Sequence, residues 1–131
     1  MKIATLVTRI LLGLIMVVFG LNGFLHFIPL PALAEGSKAA IFMGGLTAAP
    51  YFWPLLNIIK IAAGAALLAG RFIPLALVML FPIVVNIFLY DLTMDMNGLI
   101  MGALVLVLNL FLAWRFKDYF MQLLTQNAVA E

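Results

Sequence analysis

Hydrophobic residues run along this chain in four long blocks, separated by short polar or proline-containing joints. The first block covers roughly 4–28 and contains no Asp, Glu, Lys or Arg after Arg9. The others cover about 50–70, 72–92 and 97–114. A helix that crosses a bilayer needs about 20 mostly apolar residues, so each block is read as a span. Pro29 and Pro31 close the first block, because proline has no N–H with which to continue a helical ladder. The Gly70-Arg71 joint is so short that spans two and three should form a tight antiparallel hairpin. The pattern predicts an all-α fold: one membrane-embedded four-helix bundle, forming a single domain over 1–131.

The stretch from Pro31 to Ala49 is simpler to bound than to assign. Ala39 to Leu46 is apolar but too short to cross, and Gly44 and Gly45 weaken a helix. It reads either as a short interfacial or re-entrant helix between spans one and two, or as an ordered loop packed on the bundle. A signal peptide is weighed because Lys2 and Arg9 precede an apolar run and Ala32-Leu33-Ala34 follows it. That run is longer than a usual signal core and contains Asn22 and His26, so it is read as a span.

Composition narrows the class. Hydrophobic residues make up 67% of the 131 residues and charged ones 9%, with a mean hydropathy of +1.27. A soluble domain carries about 25% charged residues, so this chain lacks the surface for a soluble fold. The bilayer is its expected partner. The net charge of +2 comes from scattered single residues, which excludes a nucleic-acid interface built on a clustered basic face. With no cysteine, thiol chemistry and cysteine-ligated metal sites are absent. With one histidine, no metal site built from several histidines is available, and none is assigned.

The few basic residues report orientation. With four spans both termini share one side, and that side holds Lys2, Arg9, Arg71, Arg115 and Lys117, against Lys38 on the other. The positive-inside rule places both termini in the cytoplasm. Tyr51, Trp53 and Tyr90 then fall near the outer interface and Trp114 and Tyr119 near the inner one, as an aromatic belt requires. Small residues offer close helix contact: Gly13, Gly20 and Gly23 in span one; Ala62, Ala66 and Gly70 in span two; Gly98 and Gly102 in span four. Pro82 should kink span three and free the carbonyl near Val78.

The informative residues are the polar ones inside the blocks. Asn22 and His26 lie four apart, Asn57 and Lys60 three apart, and Asn86 and Tyr90 four apart, followed by Asp91. Such spacings share a helix face. Asn22 lies about 27 Å along the first span from Ala4 at 1.5 Å per residue, in the outer half. Asn57, Asn86 and Asp91 also fall there, and Lys60 falls near the middle. Turned inwards, these stripes would form one polar pocket open to the outer side. A lysine at mid-membrane costs roughly 2.5–3.5 kcal/mol on insertion scales, which marks Lys60 as a functional candidate with Asp91 as its expected acidic partner. The plainer readings also stand: Lys60 snorkelling to an interface, His26 hydrogen-bonded at a span end, and the asparagines joining helices. Asn109, offset towards the inner half, is read as such a packing contact. No phosphate loop, dinucleotide fingerprint or nucleophile elbow is present, so whether the chain is an enzyme stays open.

Three stretches resemble the DoxX family of small four-span bacterial membrane proteins: Arg9 to Gly13 with Phe19 to Phe27, Ile61 to Leu77, and Phe81 to Ile87. The resemblance implies a multi-pass protein of the bacterial inner (plasma) membrane. It also implies association with oxidative-stress complexes or quinone-linked sulfur oxidation, or a role in assembly. The family often has glutamate at the position of Lys60, so lysine reverses the charge there. Two functions follow as expectations. The first is a pocket lined by Asn22, His26, Asn57, Lys60, Asn86, Tyr90 and Asp91 for a small amphipathic ligand such as a quinone, with a redox partner protein supplying electrons. The second is a non-enzymatic scaffold or assembly subunit of a membrane complex, with homo-oligomerisation also open.

Overall fold

The computed structural model describes residues 2–29, 32–127 and 129–130; Pro31, expected to help close the first span, lies outside them. The described residues are all-helical. Four helices are long and apolar enough to cross a membrane: α1 (Lys2–Leu25), α3 (Phe52–Ala69), α4 (Ile73–Thr93) and α5 (Leu99–Arg115), the last preceded by a 3-10 turn at Met96–Gly98. A shorter helix, α2 (Lys38–Ala48), joins the first two spans, and α6 (Lys117–Met121) follows the last. Of the two readings of this connection, the helix is the one that forms. Its start is set by Ser37, whose hydroxyl accepts the Ala40 N–H at 3.1 Å. Its 11 residues span about 16 Å at the α-helical rise, too little to cross.

Helix α1 ends at Leu25, earlier than the prolines alone dictate. The cause is Asn22. Its side chain accepts the Ile28 N–H at 2.7 Å and donates to the Ile28 carbonyl at 3.3 Å. That reach turns the chain back, with His26 at φ 52° in the left-handed region. The α3–α4 joint is as tight as the sequence requires. Gly70 takes φ 74°, and the N–H groups of Gly70 and Arg71 both bond to the Ala66 carbonyl, at 2.9 and 3.1 Å. A glycine accepts that left-handed cap without a Cβ penalty.

Helices α1 and α3 run antiparallel in the closest contact of the bundle. A Cβ built on Gly64 would stand 2.8 Å from the Gly13 carbonyl oxygen, and one built on Gly13 would stand 2.9 Å from that of Gly64. The face that α3 offers is thus Ala63, Gly64 and Leu67, all buried. The expected Ala62 stripe is displaced, because Ala62 is exposed. Leu12, Met16, Leu67, Leu77, Leu80, Val84, Val105 and Leu112 form the shared core. Helix α4 continues through Pro82. Beyond α5, Phe116 and Phe120 turn back onto the core, and Arg115 Nε donates to Thr5 Oγ1 at 3.1 Å, tying the two chain ends together.

The glycines of the seam and those of α2 should respond oppositely to a side chain. Gly64→Val meets backbone at both Gly13 and Val17 and should cost about 1–3 kcal/mol, as overpacking does. Gly44→Ala enters open space and should add about 0.5–1 kcal/mol of helix stability. Thermal unfolding in detergent measures both.

Candidate functional site

The polar residues of the spans divide among three places. At the α1–α3 seam, Asn57 is 4% exposed and its carboxamide rests on Gly23, where a Cβ would collide with it. One turn away, Gly20 gives room to the backbone of Asn57 and to Lys60, whose Cβ lies 3.2 Å from the position of a Gly20 Cβ. Lys60 is half-buried in this seam. Asn22 borders it but is engaged in closing the turn after α1. His26 stands beyond the helix end and is exposed.

The second place is the α4–α5 seam. Asp91 is 7% exposed, and its carboxylate lies against Gly98 and Gly102, with Oδ1 2.9 Å from the position of a Gly98 Cβ. The two glycines therefore seat a neighbouring helix as expected, and the group they receive is a carboxylate. Tyr90, the next residue, points elsewhere: its ring packs on Phe42 of α2 with centroids 5.6 Å apart. The third place is the outward face of α4. Asn86 is exposed there, on a stripe with Met79, Pro82, Leu89 and Thr93, all exposed.

The expected single cluster is therefore not formed. Asn57 and Lys60 come together with the end of α1, whereas Asp91 turns to α5 and Asn86 and Tyr90 lie on another face of α4. The reason is helical rotation. At 3.6 residues per turn, Asn86 and Asp91 are about 140° apart, so burying one turns the other out. No ion pair joins Lys60 to Asp91 among the described residues.

A different residue stands out. Asn109 is 0% exposed, and among the described residues neither its Nδ2 nor its Oδ1 has a hydrogen-bond partner. The packing contact read from the sequence is thus made without a hydrogen bond. It lines a cavity of about 440 Å³ on the side of the bundle, with Leu77, Phe81, Pro82, Ala113 and Phe120. Its depth was legible in the sequence, as was the helix-weakening Pro82 across from it. The wall supplied by Phe120 was not, because it comes from a helix after the last span. A smaller cavity of about 200 Å³ lies between α3 and α4 and is lined by Ala62, Ala66 and Met79 among others. No group of three or more metal-ligating side chains occurs among the described residues.

Compared with protein-family models, curated proteins and solved structures, the chain matches none.

The seat of Asn57 on Gly23 makes a coupled pair. Gly23→Ala should destabilise by about 1–3 kcal/mol through overpacking. Adding Asn57→Ala should recover most of that loss, since the shortened side chain vacates the space. A double-mutant cycle of melting temperatures reads the coupling.

Proposed function

We propose that the chain is a DoxX-like subunit of the bacterial inner membrane, a non-enzymatic scaffold or assembly factor that docks to a partner membrane protein through the outer half of α4. The observation that carries this is Asn86. It lies about 20 Å along α4 from Ile73 at 1.5 Å per residue, within the hydrocarbon layer, and its side chain is on the exposed face. A carboxamide left bare in lipid is costly. A hydrogen bond across to another helix relieves that cost and is worth roughly 0.6–2 kcal/mol. Asn22 is engaged in closing its own turn and Asn57 and Asp91 are packed against glycines, whereas Asn86 faces outwards. The same engagement draws support away from a quinone-like ligand held in an outward polar pocket.

Orientation follows the basic residues. Arg9 lies beside Gly70 and Arg115 bonds Thr5, so the basic residues gather at the end of the bundle that carries both termini. The positive-inside rule supports a cytoplasmic location for that end.

The absence of native cysteine makes a clean test. Asn86→Cys alkylated with a photoactivatable maleimide in intact membranes should cross-link to a neighbouring protein on illumination, whereas Ile100→Cys, on a position 87% exposed, should not. A cross-link to a second copy of the chain would identify the partner as itself; no cross-link at Asn86→Cys would overturn the docking face. Separately, a fluorescent protein fused to the C-terminus should fold and fluoresce in the cytoplasm. A periplasmic reporter active at that terminus would reverse the orientation.

A further inference from the structure

We propose that the end of α5 is a binding site for one anionic phospholipid, whose phosphate is held by Arg115 and Lys117 and whose acyl chains lie along α5. The site is separate from the docking face around Asn86 and does not depend on it.

The first observation is a ring shared by two cations. The guanidinium carbon of Arg115 stands 5.8 Å from the centre of the Trp114 ring, and the Lys117 ammonium stands 5.9 Å from it. An indole face attracts a cation, but two cations gathered at one ring repel each other. No carboxylate relieves that repulsion. Among the described residues neither cation has an ion pair, and the neighbouring acid, Asp118, bonds to neither. An anion held by both cations removes the cost.

The second observation is the way Arg115 is supported. Its Nε donates to Thr5 Oγ1 at 3.1 Å. Trp114, beside it, packs on Phe111 with ring centroids 6.2 Å apart, and Phe111 packs against the core. The two Nη groups belong to an exposed residue and have no partner among the described residues. They are the prongs of a planar fork that fits a pair of phosphate oxygens. A side chain already held in place gives up less freedom when it binds. Lys117, exposed as well, adds a compact ammonium with three donors.

The third observation names the rest of the occupant. Val107, Leu110 and Trp114 follow one another at spacings of three and four, so they share one face of α5, and all three are exposed. This hydrocarbon track ends at the two cations, where α5 itself ends. A phospholipid has its parts in the same order, with acyl chains in the apolar layer and phosphate at the helix end. A free phosphate would leave the track unused. The headgroup must also be anionic overall, because a zwitterionic one brings an ammonium of its own to a place that already holds two cations. Lys2, Arg9 and Arg71 lie at the same end of the bundle and add to the attraction for an anionic lipid.

The test uses the purified full chain in micelles, with native mass spectrometry to count retained lipids. Dioleoylphosphatidylglycerol should be retained as one molecule per chain and in preference to dioleoylphosphatidylethanolamine. Glycerol 3-phosphate, which has the phosphate without the acyl chains, should not be retained. Arg115→Gln and Lys117→Gln should each weaken retention of the phosphatidylglycerol by about fivefold, the effect of one basic residue at a membrane surface. Arg71→Gln removes the same charge from the α3–α4 joint and should leave retention unchanged. Equal retention of the two lipids by the wild type, retention of glycerol 3-phosphate, or equal losses in Arg71→Gln and Arg115→Gln would overturn the proposal. The lipid comparison needs only the unmodified chain, so it stands whether or not a variant folds.

Discussion

Lipid tails are as apolar as leucine, so helices in a bilayer gain nothing by hiding hydrocarbon from their surroundings. What holds them is close contact, and here backbone comes against backbone between Gly13 and Gly64. The rest of the bundle is arranged around that approach. It sets α1 and α3 antiparallel with Gly20 beside Lys60 and Gly23 beside Asn57. It brings Arg9 to the left-handed turn at Gly70, where α3 gives way to α4. Any side chain at the crossing would push the two axes apart and loosen both ends of the seam.

The same device recurs at two of the buried polar side chains. Asn57 lies on a glycine of α1, and Asp91 lies on two glycines of α5. A glycine in the facing helix gives the larger polar side chain room that a Cβ would take. Seen this way, Asn57 and Asp91 are parts of the packing, and Lys60 sits within the seam that holds Asn57. Two polar residues depart from the pattern. Asn86 turns outwards, and Asn109 is fully buried with no hydrogen-bond partner among the described residues.

The end of the bundle that carries both termini has its own construction. Arg115 is tied to Thr5, and Arg115 and Lys117 approach the Trp114 ring at 5.8 and 5.9 Å, within the reach of cation–π attraction. Phe116 and Phe120 return to the core from the short helix that follows. Phe120 also lines the cavity beside Asn109, so a wall of that cavity comes from beyond the last long apolar helix.

The four crossings, their order and the tight turn at Gly70 were determined by the amino-acid sequence alone. The bilayer imposes a length on every apolar run, and length is a one-dimensional quantity. The glycines of α1 and α5 could be recognised as seats for the same reason, since small residues are the means by which lipid-embedded helices approach. The partners of the polar residues were decided only in three dimensions. A spacing of three or four places two side chains on one face of their own helix but leaves open which way that face turns. In α4 the core took Leu77, Leu80, Val84 and Asp91, and that choice sent Asn86 outwards. Asn22 closed a turn within its own segment, and Asn109 met a wall built from α4 and α6. Helix rotation is set by the sum of contacts with all neighbours, and no single helix's pattern contains that sum.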